Sequence, residues 1–86
     1  MIKEKIKILA PTGLHARPAG ELVSLVKNYN CEVKFKKGTK EVKGTSIISI
    51  LSLGIASGTE IEVYTSGEDE LAASQAIKTF FLNLKN

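Results

Sequence analysis

The sequence is poor in the residues that usually staple or decorate a small protein: among 86 residues there is no tryptophan, one cysteine and one histidine. A lone Cys31 cannot close an internal disulfide, which points to a reducing compartment. One histidine and one cysteine cannot supply the roughly four ligands of a structural zinc site. Uninterrupted apolar runs stop after a few residues, as at Ile8-Leu9-Ala10-Pro11, against the roughly 20 needed for a membrane span. The opening Met-Ile-Lys-Glu-Lys carries an acid and no apolar stretch, so no export signal is expected. These scarcities set aside secreted, membrane-inserted and zinc-stapled readings and favour a cytoplasmic protein. Arginine is scarce as well: eleven of the twelve cations are lysines. The net charge of +3 and pI near 9.1 permit a nucleic-acid partner. The lysines, however, are interleaved with glutamates, and the densest group, Lys34, Lys36 and Lys37, has only Phe35 for stacking. A basic surface without arginines and aromatic rings is expected to be a solvated face, and no nucleic-acid partner is predicted.

Apolar residues make up 43% of the chain, enough for one modest core. The length leaves room for a single domain over residues 1–86. Ile2, Ile6 and Ile8 share one parity and alternate with Lys3, Lys5 and Lys7, predicting a half-buried strand that Pro11-Thr12-Gly13 ends. Between Ala16 and Asn28, the residues Ala19, Leu22, Val23 and Val26 recur with the spacing of an amphipathic helix. Cys31, Val33 and Phe35 mark a second strand. Gly38-Thr39 turns it into a third at Lys40 to Lys43. Thr59 to Thr65 reads as a fourth, with Ile61 and Val63 inward. Acids at Glu68, Asp69 and Glu70 then suit a helix start. The helical stripe of Ala73, Ile77, Phe80, Phe81 and Leu84 follows, with Lys85 at the cation-favouring end. The segment Ser46 to Gly54 is ambiguous: its β-branched residues favour strand, its leading serine and closing glycine a short helix. An antiparallel sheet with helices on one face is the simplest packing of this order.

The only histidine and the only arginine lie two residues apart, in Gly13-Leu14-His15-Ala16-Arg17-Pro18-Ala19-Gly20, where the first helix begins. A helix start presents unpaired N–H groups and a partial positive charge that hold an anion. A guanidinium adds planar donors that match phosphate. A neutral imidazole beside them has a lone pair to attack with and donors to receive the incoming negative charge, which are the requirements for accepting a phosphoryl group. The plainer alternative is a surface histidine at a helix entry. A dyad acting on a free substrate is less suited, since no second acid–base group lies nearby and so short a chain encloses little space.

Leu14-His15-Ala16-Arg17-Pro18-Ala19 resembles the active-site signature of HPr, the histidine-containing phosphocarrier family of the phosphoenolpyruvate-dependent sugar phosphotransferase system. Ser46-Ile47-Ile48 through Leu51-Ser52-Leu53-Gly54 resembles that family's regulatory serine and short helix. Gly58-Thr59-Glu60-Ile61 and Gly67-Glu68-Asp69-Glu70 resemble its last strand and last helix start. The resemblance runs the length of the chain. It implies an α+β open-faced sandwich, βαββαβα, with a four-stranded antiparallel sheet and three helices on one side. It implies that His15 takes a phosphoryl group on Nδ1 from phosphorylated enzyme I and passes it to the IIA domain of a sugar permease. Arg17 and the backbone N–H of Ala16 would meet the phosphoryl oxygens. Ser46 would be a target of HPr kinase/phosphorylase and link the protein to a catabolite-control regulator. Ile47, Ile48 and Leu51 would form an apolar docking patch with Lys27 on its rim; in pattern terms each of these apolar residues could equally be core. The resemblance implies a monomeric carrier, not an enzyme, and no metal or organic cofactor. A regulatory paralogue acting through Ser46 and the patch is the alternative. Two departures from the family pattern are Thr45, where lysine is usual, and Gly20, where alanine or threonine is common.

Overall fold

Alternation in the strands and periodicity in the helices resolve into β1 (Ile2–Lys7), α1 (Ala16–Val26), β2 (Cys31–Lys37), β3 (Lys40–Lys43), α2 (Ile47–Leu51), β4 (Glu60–Gly67) and α3 (Glu70–Leu82). The computed structural model describes residues 1–84. The four strands form one sheet in the order β1-β4-β2-β3, and every neighbouring pair is antiparallel.

The two faces of the sheet differ because side chains alternate along each strand. One face carries Ile6, Val33, Phe35, Ile61, Val63 and the buried Thr65, and meets Leu22, Val26, Ile50, Ile77 and Phe81 from the helices. Phe35 and Phe81 pack edge to face at the centre, 6.4 Å apart. The other face is open and charged. Its register sets Lys5 opposite Glu62, Glu62 opposite Lys36, and Lys36 opposite Glu41, so opposite charges alternate across the strands. The interleaved lysines and glutamates of the sequence are this solvated face.

The ambiguous segment is helical. Ser46 caps α2, its Oγ accepting the N–H of Ser49 at 3.3 Å, and only Ile50 of the helix is fully buried. The helix forms its own bonds, Ile50 donating its N–H to Ser46 O and Ser52 to Ile48 O, each at 3.0 Å, and the segment pairs with no strand. At the last helix the boundary moves. Ser66 and Gly67 extend β4, and Asp69 accepts the N–H of Asn30 at 2.7 Å, so it does not cap α3 with its side chain. Glu70 alone is the acid in the first turn. The α1 helix ends at Val26, two residues before the expected Asn28. Lys85, expected at the end of α3, lies outside the described residues. Among the described residues no helix is long and apolar enough to cross a membrane.

Candidate functional site

The start of α1 is shaped by what its first residues cannot do. His15 is the N-cap residue, extended at φ −111° and ψ −171°, and its side chain makes no capping bond. Its carbonyl accepts the first helical bond, from the N–H of Ala19, at 3.0 Å. Pro18 stands in the first turn, where the missing donor costs nothing, and its ring is buried. The N–H groups of Ala16 and Arg17 have no acceptor among the described residues. His15, Ala16 and Arg17 are all exposed. The guanidinium of Arg17 has no ion-pair partner among the described residues. An exposed imidazole, two unpaid backbone donors and an uncommitted guanidinium therefore share one helix end. This arrangement can greet an oxyanion without enclosing it.

The loop leading to His15 is held from behind. Leu14 is buried and donates its N–H to the Ile55 carbonyl at 2.9 Å. Gly13, at φ +70°, lies against the same segment: a Cβ there would fall 2.8 Å from Ala56 Cα and closer still to the Ile55 oxygen. Side chains beyond glycine are excluded on both counts. In the sequence Gly13 reads only as a breaker and Ile55 carries no signal, because their closeness joins chain segments about forty residues apart.

The second helix places the expected docking residues on the surface. Ile47, Ile48 and Leu51 are 41%, 82% and 36% exposed, while Ile50 between them is the one that enters the core. The Ile47 side chain approaches α1 at Gly20, where a Cβ would be 3.9 Å from Ile47 Cδ1. Gly20 is one turn from Ala16, so the patch on α2 adjoins the His15 end of α1. Ser46 is half-buried at the start of the same helix. Lys27 is exposed but follows the opposite end of α1, about 18 Å along the axis from His15. It lies outside the histidine's surroundings.

Known proteins resemble this chain in sequence and in fold. The family model PTS-HPr, described as the PTS HPr component phosphorylation site, matches residues 2–83. The chain is 32% identical over 80 residues to the HPr-like protein Crh of Bacillus subtilis, covering 93% of this chain and 94% of that one. It is 30% identical over 83 residues to the phosphocarrier protein HPr of Treponema pallidum, covering 96% and 94%. The crystal structure of HPr-C-His from Thermoanaerobacter tengcongensis superposes with a TM-score of 0.91 at 33% identity, over 95% of this chain and 92% of that one. With a sheet of the same kind, three helices on one face and a match spanning nearly all of its length, the chain belongs to the HPr family.

Proposed function

We propose that this protein is a cytoplasmic phosphoryl carrier of the sugar phosphotransferase system, with His15 as the accepting residue. The observation that carries the reading is the exposed His15 at the head of α1, beside the unpaired N–H groups of Ala16 and Arg17. In the forward step Nδ1 of His15 attacks the phosphorus held on phosphorylated enzyme I. The new N–P bond forms as the donor's bond breaks, and the oxyanion charge arrives beside the Arg17 guanidinium and the Ala16 N–H. In the return step the IIA domain of a permease takes the group by the same chemistry in reverse. A carrier that gripped the phosphoryl group tightly would slow its own release, so open donors serve better than a closed cavity. Exposure also lets two different proteins reach the same ring atom. The protein turns over no free substrate of its own, uses no metal or organic cofactor in this role, and works as a monomer.

The α2 surface supports docking and regulation. Ile47, Ile48 and Leu51 present apolar area next to the His15 end of α1, and Lys27 is an exposed charge past the far end of that helix. Phosphorylation of Ser46 by HPr kinase/phosphorylase adds up to about two negative charges at the margin of that patch. An acidic enzyme I would be repelled there. A catabolite-control regulator that reads phosphoserine would be attracted. The similarity to Crh of Bacillus subtilis favours a second reading, a regulatory paralogue working through Ser46 and the patch without carrying flux. The presence of His15 beside Arg17 favours the relay.

Incubation with phosphoenolpyruvate and a bacterial enzyme I separates the two. The relay requires an acid-labile, alkali-stable adduct on the native chain that is absent from His15→Ala. A native chain that takes no label, or a His15→Ala chain that takes the same label, overturns it. Kinase and ATP should give an acid-stable phosphate that Ser46→Ala lacks.

A further inference from the structure

Three carbonyls at the end of α2, those of Ser52, Leu53 and Gly54, point to where a helix has run out of N–H donors. Each accepts from a lysine of the β2–β3 hairpin. Lys40 Nζ donates to Ser52 O at 3.2 Å, and Lys37 Nζ donates to Leu53 O at 3.1 Å and Gly54 O at 2.8 Å. The two lysines face each other across the hairpin register. Ammonium groups suit the negative end of a helix, and such charge-assisted bonds are the stronger kind.

Lys37 matters further because of what comes next in the chain. Gly54 sits at φ +63° in open space, and the atom nearest to a Cβ built there is Lys37 Nζ itself, at 3.8 Å. Its N–H turns back to Leu51 O at 3.1 Å, and its carbonyl is taken by the Lys37 ammonium. The residue after it, Ile55, supplies the carbonyl from which Leu14 hangs, and His15 follows Leu14. One ammonium thus fixes a segment whose next carbonyl holds the histidine loop.

We propose that Lys37 is a positioning residue for phosphoryl acceptance at His15, a role that rests on the carrier reading above. It touches neither the phosphoryl group nor the imidazole, and acts through Gly54, Ile55 and Leu14. Displacement of a reacting group by a fraction of an ångström is costly in rate, so removing the ammonium slows transfer by roughly tenfold.

The test compares native protein, Lys37→Met, which keeps the length and loses the charge, and Lys37→Arg, whose fork can serve both carbonyls. Each is the varied substrate of enzyme I with phosphoenolpyruvate, and hydrogen exchange at the Leu14 amide is followed in parallel. Lys37→Met should lose kcat with faster Leu14 exchange, while Lys37→Arg restores both. A folded Lys37→Met that is phosphorylated at the native rate, or that loses rate with Leu14 protection unchanged, refutes the positioning role. A native chain that accepts no phosphoryl group refutes the carrier reading, and the role of Lys37 falls with it.

Discussion

Leu14 hangs by its backbone N–H from the carbonyl of Ile55, at 2.9 Å, so the residue before the histidine is fixed to the loop that follows α2. Gly13 makes that approach possible. With φ at +70° and no room for a Cβ against Ile55 and Ala56, it is the one position in the loop where even alanine is excluded by both conformation and space. A left-handed alanine costs about 1–2 kcal/mol, and forced overpacking costs about 1–3 kcal/mol more. Gly13→Ala should therefore lower stability by about 2–5 kcal/mol in urea denaturation. A loss below about 1 kcal/mol would show that the loop rearranges at little cost.

Much of this architecture could be read without coordinates, and the reasons are local. The strand parity of Ile2, Ile6 and Ile8 and the helical spacing of Ala19, Leu22, Val23 and Val26 each state a period and a buried face within about ten residues. His15 and Arg17 were legible for the same reason, being two residues apart at a helix start. The Ser46 to Gly54 segment was not, because β-branched residues and a serine cap give opposite signals, and only the burial of Ile50 against the sheet decides between them. Gly13, Lys37, Lys40 and Ile55 were illegible as partners. Their hydrogen bonds join segments distant in sequence, and no period or spacing encodes such a meeting.

Gly20 differs from Gly13 in that nothing requires it. It lies in α1, and a Cβ there would touch only Ile47 Cδ1, at the ordinary contact distance of 3.9 Å. Glycine within a helix costs up to about 1 kcal/mol relative to alanine. Gly20→Ala should raise stability by up to about 1 kcal/mol, seen as a higher urea midpoint with an unchanged slope. An unaltered or lowered midpoint would mean that the α1–α2 approach is tighter than this distance indicates.

Ile48 and Ile50 are two residues apart in one short helix and should respond oppositely to truncation. Ile50 is fully buried, and Ile50→Ala removes core contacts worth about 2–5 kcal/mol. Ile48 is 82% exposed, so Ile48→Ala should change stability by less than about 0.5 kcal/mol. If the patch docks enzyme I, Ile48→Ala will instead raise the KM of enzyme I for this protein. Equal affinity in native and Ile48→Ala protein would remove Ile48 from the docking surface.

Glu70 should dominate the acid response of the β4–α3 junction. The Gly67 N–H donates to its Oε1 at 3.0 Å, and the Met1 ammonium lies 3.2 Å from Oε2. The backbone bond, followed by the ammonium, holds this carboxyl below its ordinary 4.5. A carboxylate depressed in the folded state stabilises the protein above its unfolded pKa. That contribution is lost as pH falls from 4.5 through the lower folded value, because the native state must then take up a proton at the cost of those contacts. The side chain is only half-buried and still reached by solvent, so the effect is modest and screened by salt. Melting curves between pH 6 and pH 2.5 should show native protein losing more stability on acidification than Glu70→Gln, whose amide does not titrate. Parallel curves for the two chains would mean that Glu70 titrates alike in the folded and unfolded states.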